Sequence, residues 1–127
     1  MAMLTTTEKT RNPDSFTARR VAPEESVHSA MDYLRDSAFE LGKARKRAKH
    51  AEHLLAHTEA LLFKASSETS DAKRKADART HTKWLEAAHE DADATGELAK
   101  LYALREAAAA VCEAWRTEQA TLRSMKL

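Results

Sequence analysis

Three histidines, His50, His53 and His57, and five cations, Lys43, Arg45, Lys46, Arg47 and Lys49, are the residues of this 127-residue chain whose types and spacing can do chemistry. Steps of three and four residues bring the imidazoles to one side of a helix, where together they could collect a divalent metal. His50 and His57 would nevertheless stand about 10 Å apart along the axis, too far to share one tetrahedral ion without a second chain. The expectation is no metal and no cofactor, but a partly solvated stripe that gains charge below about pH 6.5. The five cations fan around more than half of a helix and spare only Ala44 and Ala48. Such a run either solubilises the helix or tracks phosphates.

A second basic cluster, Lys64, Lys73, Arg74, Lys75, Arg79 and Lys83, gathers where the chain is expected to bend. Several copies with their bends side by side would sum these charges into a strong field. Contacts made this way go to phosphate and not to base edges, because the chain has no sequence-reading helix and no stacking platform of aromatics. Binding of that kind is salt-sensitive and largely independent of sequence. Phe63, beside Lys64, is the one aromatic placed to stack on a base, whereas Tyr33, Trp84, Tyr102 and Trp115 fall on or next to packing faces. A glycine-rich phosphate loop, a nucleophile elbow and a Cys/His pair at zinc spacing are all missing from the sequence, so no enzyme is expected.

Two seven-residue stripes must position these side chains. One runs Leu34, Leu41, Ala48, Leu55, Leu62 with a companion row Ala44, Ala51, Thr58, Ala65. The other runs Ala87, Ala94, Leu101, Ala108, Trp115, Leu122, flanked by Leu98, Leu104, Val111 and Cys112. Heptad spacing keeps a narrow apolar seam on a helix, so each stretch packs lengthwise against a partner. The first helix is predicted to start at Pro23, Glu24 and Glu25, where proline and acids suit a first turn, and to run to about Ala65 with Gly42 allowing a slight bend or a close contact. Ser66, Ser67, Glu68, Thr69 and Ser70 then break the pattern. A short connecting helix is predicted over 71–79, capped by Ser70 and Asp71; after a second break at Thr80, His81 and Thr82 the last helix runs from about Lys83, with Gly96 its weak point. Two long helices joined compactly fold back antiparallel.

Composition bounds the rest. Two Gly, two Pro and 6% aromatics, against 32% charged residues, disfavour a sheet and cannot fill a thick core. Residues 1–22 lack helical period and read as a flexible arm whose Arg11, Arg19 and Arg20 could touch phosphates; residues 23–127 form one hairpin domain. Net charge is +1, but residues 66–83 carry five cations against three acids and residues 84–127 five against eight. The bend is basic and the last helix acidic. Cys112, the only cysteine, reads as a small buried residue in a reducing compartment. No stretch approaches the ~20 apolar residues that span a bilayer, and no signal-peptide region opens the chain, so a soluble cytoplasmic protein is expected.

The layout from Tyr33 and Leu34 through Lys64, a Ser-rich basic break and a long return helix resembles the UvsY-type recombination mediators of bacteriophages. Ala114, Trp115, Arg116, Thr117, Glu118, Gln119, Ala120, Thr121, Leu122 and Arg123 resemble the ending of many small phage helical proteins. The resemblance covers roughly residues 30–125. It implies a non-enzymatic homo-oligomer that binds single-stranded DNA and helps load a recombinase in place of single-strand-binding protein, with DNA contacts at Lys64 and the basic residues just after it. His57, Thr58, Glu59 and Ala60 stand where that pattern has more Lys or Arg.

The expectation is thus an all-α antiparallel, coiled-coil-like hairpin that oligomerises through a seam of Leu41, Leu55, Leu62, Leu98, Leu101, Trp115 and Leu122. The bend cluster together with Lys43, Arg45, Lys46, Arg47 and Lys49 would contact single-stranded DNA. The alternative is a helical interaction or scaffold protein of a phage with no nucleic-acid role.

Overall fold

The computed structural model describes residues 24–126; the expected N-terminal arm and Pro23 lie outside them. Three helices follow in order, α1 (Glu24–Ala65), α2 (Asp71–Arg79) and α3 (Thr82–Lys126), with no strand among the described residues. Among the described residues no helix is long and apolar enough to cross a membrane.

Local chemistry accounts for the boundaries. Glu24 and Glu25 occupy the first turn of α1 and Lys64 its last, each sign matching the dipole end it sits on. Ser70 caps α2 in extended backbone geometry, its hydroxyl accepting from the Lys73 N–H at 3.2 Å. Thr80 closes α2, its hydroxyl donating to the Asp77 carbonyl at 2.7 Å. α3 begins one residue earlier than predicted, because the His81 Nδ1 accepts from the Lys83 N–H at 3.2 Å and so takes the work of a capping oxygen.

α1 and α3 pack against each other as a hairpin, and the seam is the predicted one. Cα proximity divides the described residues into two compact units, one comprising residues 24–38 with residues 103–126, the other Phe39–Tyr102. In the first, Val27, Ala30, Ala108, Val111 and Cys112 form a buried cluster against which Tyr33, Leu34 and Trp115 pack. Arg105 adds a polar tie across the same contact, one guanidinium nitrogen donating to the Leu34 carbonyl at 2.7 Å and to the hydroxyl of buried Ser37 at 2.6 Å. In the second unit the buried residues are all alanines, Ala51, Ala87 and Ala94 on the seam and Ala78 on α2. Around them Leu41, Ala44, Ala48, Leu55, Thr58, Leu62, Leu98 and Leu101 are half-buried.

Several expectations need correction. Leu122 is 43% exposed and Leu104 also lies open, although both belong to the heptad rows. In the register set by Arg105 beside Leu34, α1 as described has nothing opposite Leu122. Ala65, the last of its row, is exposed where α1 ends. Tyr102, 44% exposed, lies next to half-buried Leu101, beside the seam and not in it. Gly42 makes no close contact, since a methyl group added there would meet nothing within 4 Å, and the same holds at Gly96.

Candidate nucleic-acid interface

The second basic cluster is distributed over the three helices that meet at the bend, with Lys64 on α1, Lys73, Arg74, Lys75 and Arg79 on α2, and Lys83 on α3. Its scaffold is a set of short polar contacts within the Phe39–Tyr102 unit. The Ser66 hydroxyl donates to Asp77 at 2.7 Å and accepts from the Glu68 N–H at 3.2 Å, which fixes the exit from α1 against α2. Arg74 donates through Nε to the Glu68 carbonyl at 2.8 Å, with its guanidinium 5.7 Å from the centre of the Phe63 ring. Arg79 donates to Glu59 at 2.8 Å and stands 5.6 Å from the Trp84 ring. Trp84 completes the clip by donating its indole N–H to the same carboxylate oxygen at 3.2 Å. The Arg79 hydrogen bond, assisted by its charge and by Trp84, holds the Glu59 carboxyl below its ordinary pKa against the opposing effect of partial burial.

Two of the predicted phosphate contacts are therefore already occupied. Arg79 is neutralised by Glu59, and Arg74 serves as a strut for the bend. Phe63, the predicted base-stacking ring, has the Arg74 guanidinium over it. The remaining four, Lys64, Lys73, Lys75 and Lys83, are exposed, and none forms an ion pair among the described residues. A groove of about 480 Å³ at the bend is lined by Ser66, Asp77, Thr80, His81 and their neighbours, and none of the four lysines lines it. It offers hydroxyls and a carboxylate, which makes it no cradle for phosphate.

The mid-helix run divides in the same way. Arg47 grips Glu90 of α3 with two parallel hydrogen bonds, 2.9 and 3.0 Å, and the pairing lowers the Glu90 pKa. Lys43 lies 3.8 Å from Glu40 and 5.4 Å from the Phe39 ring centre, and Lys49 lies 3.1 Å from Glu52. Arg45 and Lys46 remain exposed without an ion-pair partner among the described residues. Arg45 opens onto a groove of about 410 Å³ shared with Ala48, Asp91, Thr95 and Leu98.

Comparison with protein-family models, with curated proteins and with solved structures finds no match to this chain. His50, His53 and His57 are all exposed on α1, and among the described residues no group of three or more His, Cys, Asp or Glu stands close enough to hold a metal ion. Sequence reasoning missed the Glu59, Arg79 and Trp84 clip altogether. Glu59 and Trp84 are 25 residues apart, and only the turn through α2 makes them neighbours.

Proposed function

We propose that the bend binds the sugar-phosphate backbone of single-stranded DNA without reading its sequence and without catalysing a reaction. The observation that carries this reading is the division of labour among the cations: the arginines hold the bend together, while Lys64, Lys73, Lys75 and Lys83 are left exposed and without an ion pair among the described residues. Ammonium groups on a preset frame give phosphate contacts with little ordering cost in the protein backbone. Preference for a single strand over a duplex, assistance to a recombinase displacing single-strand-binding protein, and action in the cytoplasm of a phage host are the parts supplied by the resemblance.

Filter binding of a labelled oligonucleotide across a salt series tests the proposal. Replacing the four lysines with Ala should cost at least tenfold in affinity at low salt. It should also flatten the dependence of log K on log salt by about 3, from a single-strand slope near 0.7 per neutralised phosphate. An unchanged affinity, or no binding by the parent chain at low ionic strength, removes the reading. A second reading, a helical scaffold for another protein, draws on the exposure of Phe39 and Leu61, 73% and 55%. A duplex competitor that displaces the single strand equally well would favour general polyanion binding over either.

A further inference from the structure

One face of the Phe39–Tyr102 unit carries opposite charges along its two edges. Lys43 and Arg47 stand on the α1 edge, and Glu90, Asp93 and Glu97 stand on the α3 edge, three and four residues apart. Between them runs a groove of about 420 Å³ floored by Ala44 and Leu101. Arg47 takes Glu90 as its partner, whereas Asp93 and Glu97 are exposed and form no ion pair among the described residues, although both lie near enough to reinforce the charge on Arg47. Seven and fourteen residues after Arg47, and so on the same edge, come Leu54 and Leu61, 43% and 55% exposed.

We propose that this face receives a second copy of the chain, related by a two-fold axis parallel to the helices, so that Lys43 and Arg47 of each copy meet Asp93 and Glu97 of the other. A face with a cationic edge beside an anionic edge is complementary to itself under a half-turn, which is the requirement of an isologous dimer. Because α1 and α3 are antiparallel, the half-turn also sets each α1 against an antiparallel α3, giving the arrangement of an up-down four-helix bundle. The available area is of the right size: α1 over about 39 Å from residue 39 to residue 64 and α3 over about 31 Å from Thr82 to Tyr102, each about 10 Å across, offer roughly 700 Å² per copy, close to a standard interface. The need is visible too, since no large side chain among the described residues is fully buried. The expected oligomer contact therefore moves. The heptad seam closes the chain's own hairpin, and the charged flank joins copies.

Light scattering on the full chain, without nucleic acid, tests this independently of the proposed function. At low salt and micromolar concentration the mass should be twice the 14.2 kDa of one chain, and it should fall towards one chain at high salt. The double substitution K43E/R47E reverses the charge of the α1 edge, and D93K/E97K reverses the two unpaired acids of the α3 edge while Glu40 and Glu90 stay. Each variant alone should be monomeric, and an equimolar mixture should recover the doubled mass as a heterodimer. Circular dichroism checks that both stay helical; should loss of the Arg47–Glu90 pair disturb folding, K43E and E97K, which leave that pair intact, carry the same test. A parent chain that stays monomeric at low salt overturns the proposal. So does an oligomer whose mass ignores the charge reversals, or a mixture that does not reassociate.

Discussion

The two units of the hairpin are held by different forces although the same two helices build both. Where α1 starts and α3 ends, Val27, Val111, Cys112 and Trp115 supply volume, and the contact is sealed by burial of apolar surface, worth about 25 cal/mol per Å². Towards the bend the buried residues shrink to alanine, and the polar contacts multiply: Arg47 to Glu90, Arg79 and Trp84 to Glu59, Ser66 to Asp77. Alanine seams admit close helix approach but bury little. Exposed ion pairs add little more, so the bend half is the softer one, and it is also the half that carries the candidate surfaces.

The largest effect should come from breaking the apolar unit. Ala108→Glu places an unpartnered carboxylate among Val27, Ala30 and Val111, and it should cost roughly 3 kcal/mol or more. Because Cys112 is the only cysteine and is buried, its labelling by a thiol reagent should become fast in that variant while remaining slow in the parent. Similar labelling rates in both would mean that the burial there is not what holds the helices.

Removing the polar tie of the same unit should do less. Arg105→Met keeps the aliphatic stem but withdraws both hydrogen bonds and leaves the Ser37 hydroxyl buried without that donor, at a cost of about 1–3 kcal/mol by thermal melting. A melt unchanged by the substitution would assign the tie no energetic role.

The smallest effect belongs to the bend. A carboxyl held below its ordinary pKa in the folded state stabilises the fold above the unfolded value, about 4.3 for Glu, and that stability drains away as pH falls through the folded value. Glu59 is such a group, so hydrogen exchange around 59–84 should speed up on acidification below about pH 4 more than exchange in the apolar unit. Glu59→Gln should weaken that acid sensitivity. Equal acid sensitivity in both units would erase the contrast between them.

How much of this was legible in the sequence depends on the range of the interaction. Helix limits were readable because caps are local: Ser70 and Asp71 announce α2 within a turn, and the serine run after Ala65 announces the break. The seam was readable because a heptad repeats its own evidence, and it failed only at places such as Leu122, where the pattern continues past the described end of its partner. The candidate interface was half readable. Lysines and arginines are visible as charges, but their partners are not: Arg47 and Glu90 are separated by 43 residues, Arg79 and Glu59 by 20. Pairing of that kind is decided by the turn and the register, and it sorts structural cations from available ones.

The tie from Arg105 to Leu34 and Ser37 bears on a weakness that every periodic zipper has. Teeth repeating every seven residues would mesh nearly as well if one strip slid along the other by a full repeat, and small teeth punish the error least. A guanidinium that finds a hydroxyl and a carbonyl in one alignment alone acts as an index pin. It lets a largely featureless track know its correct position.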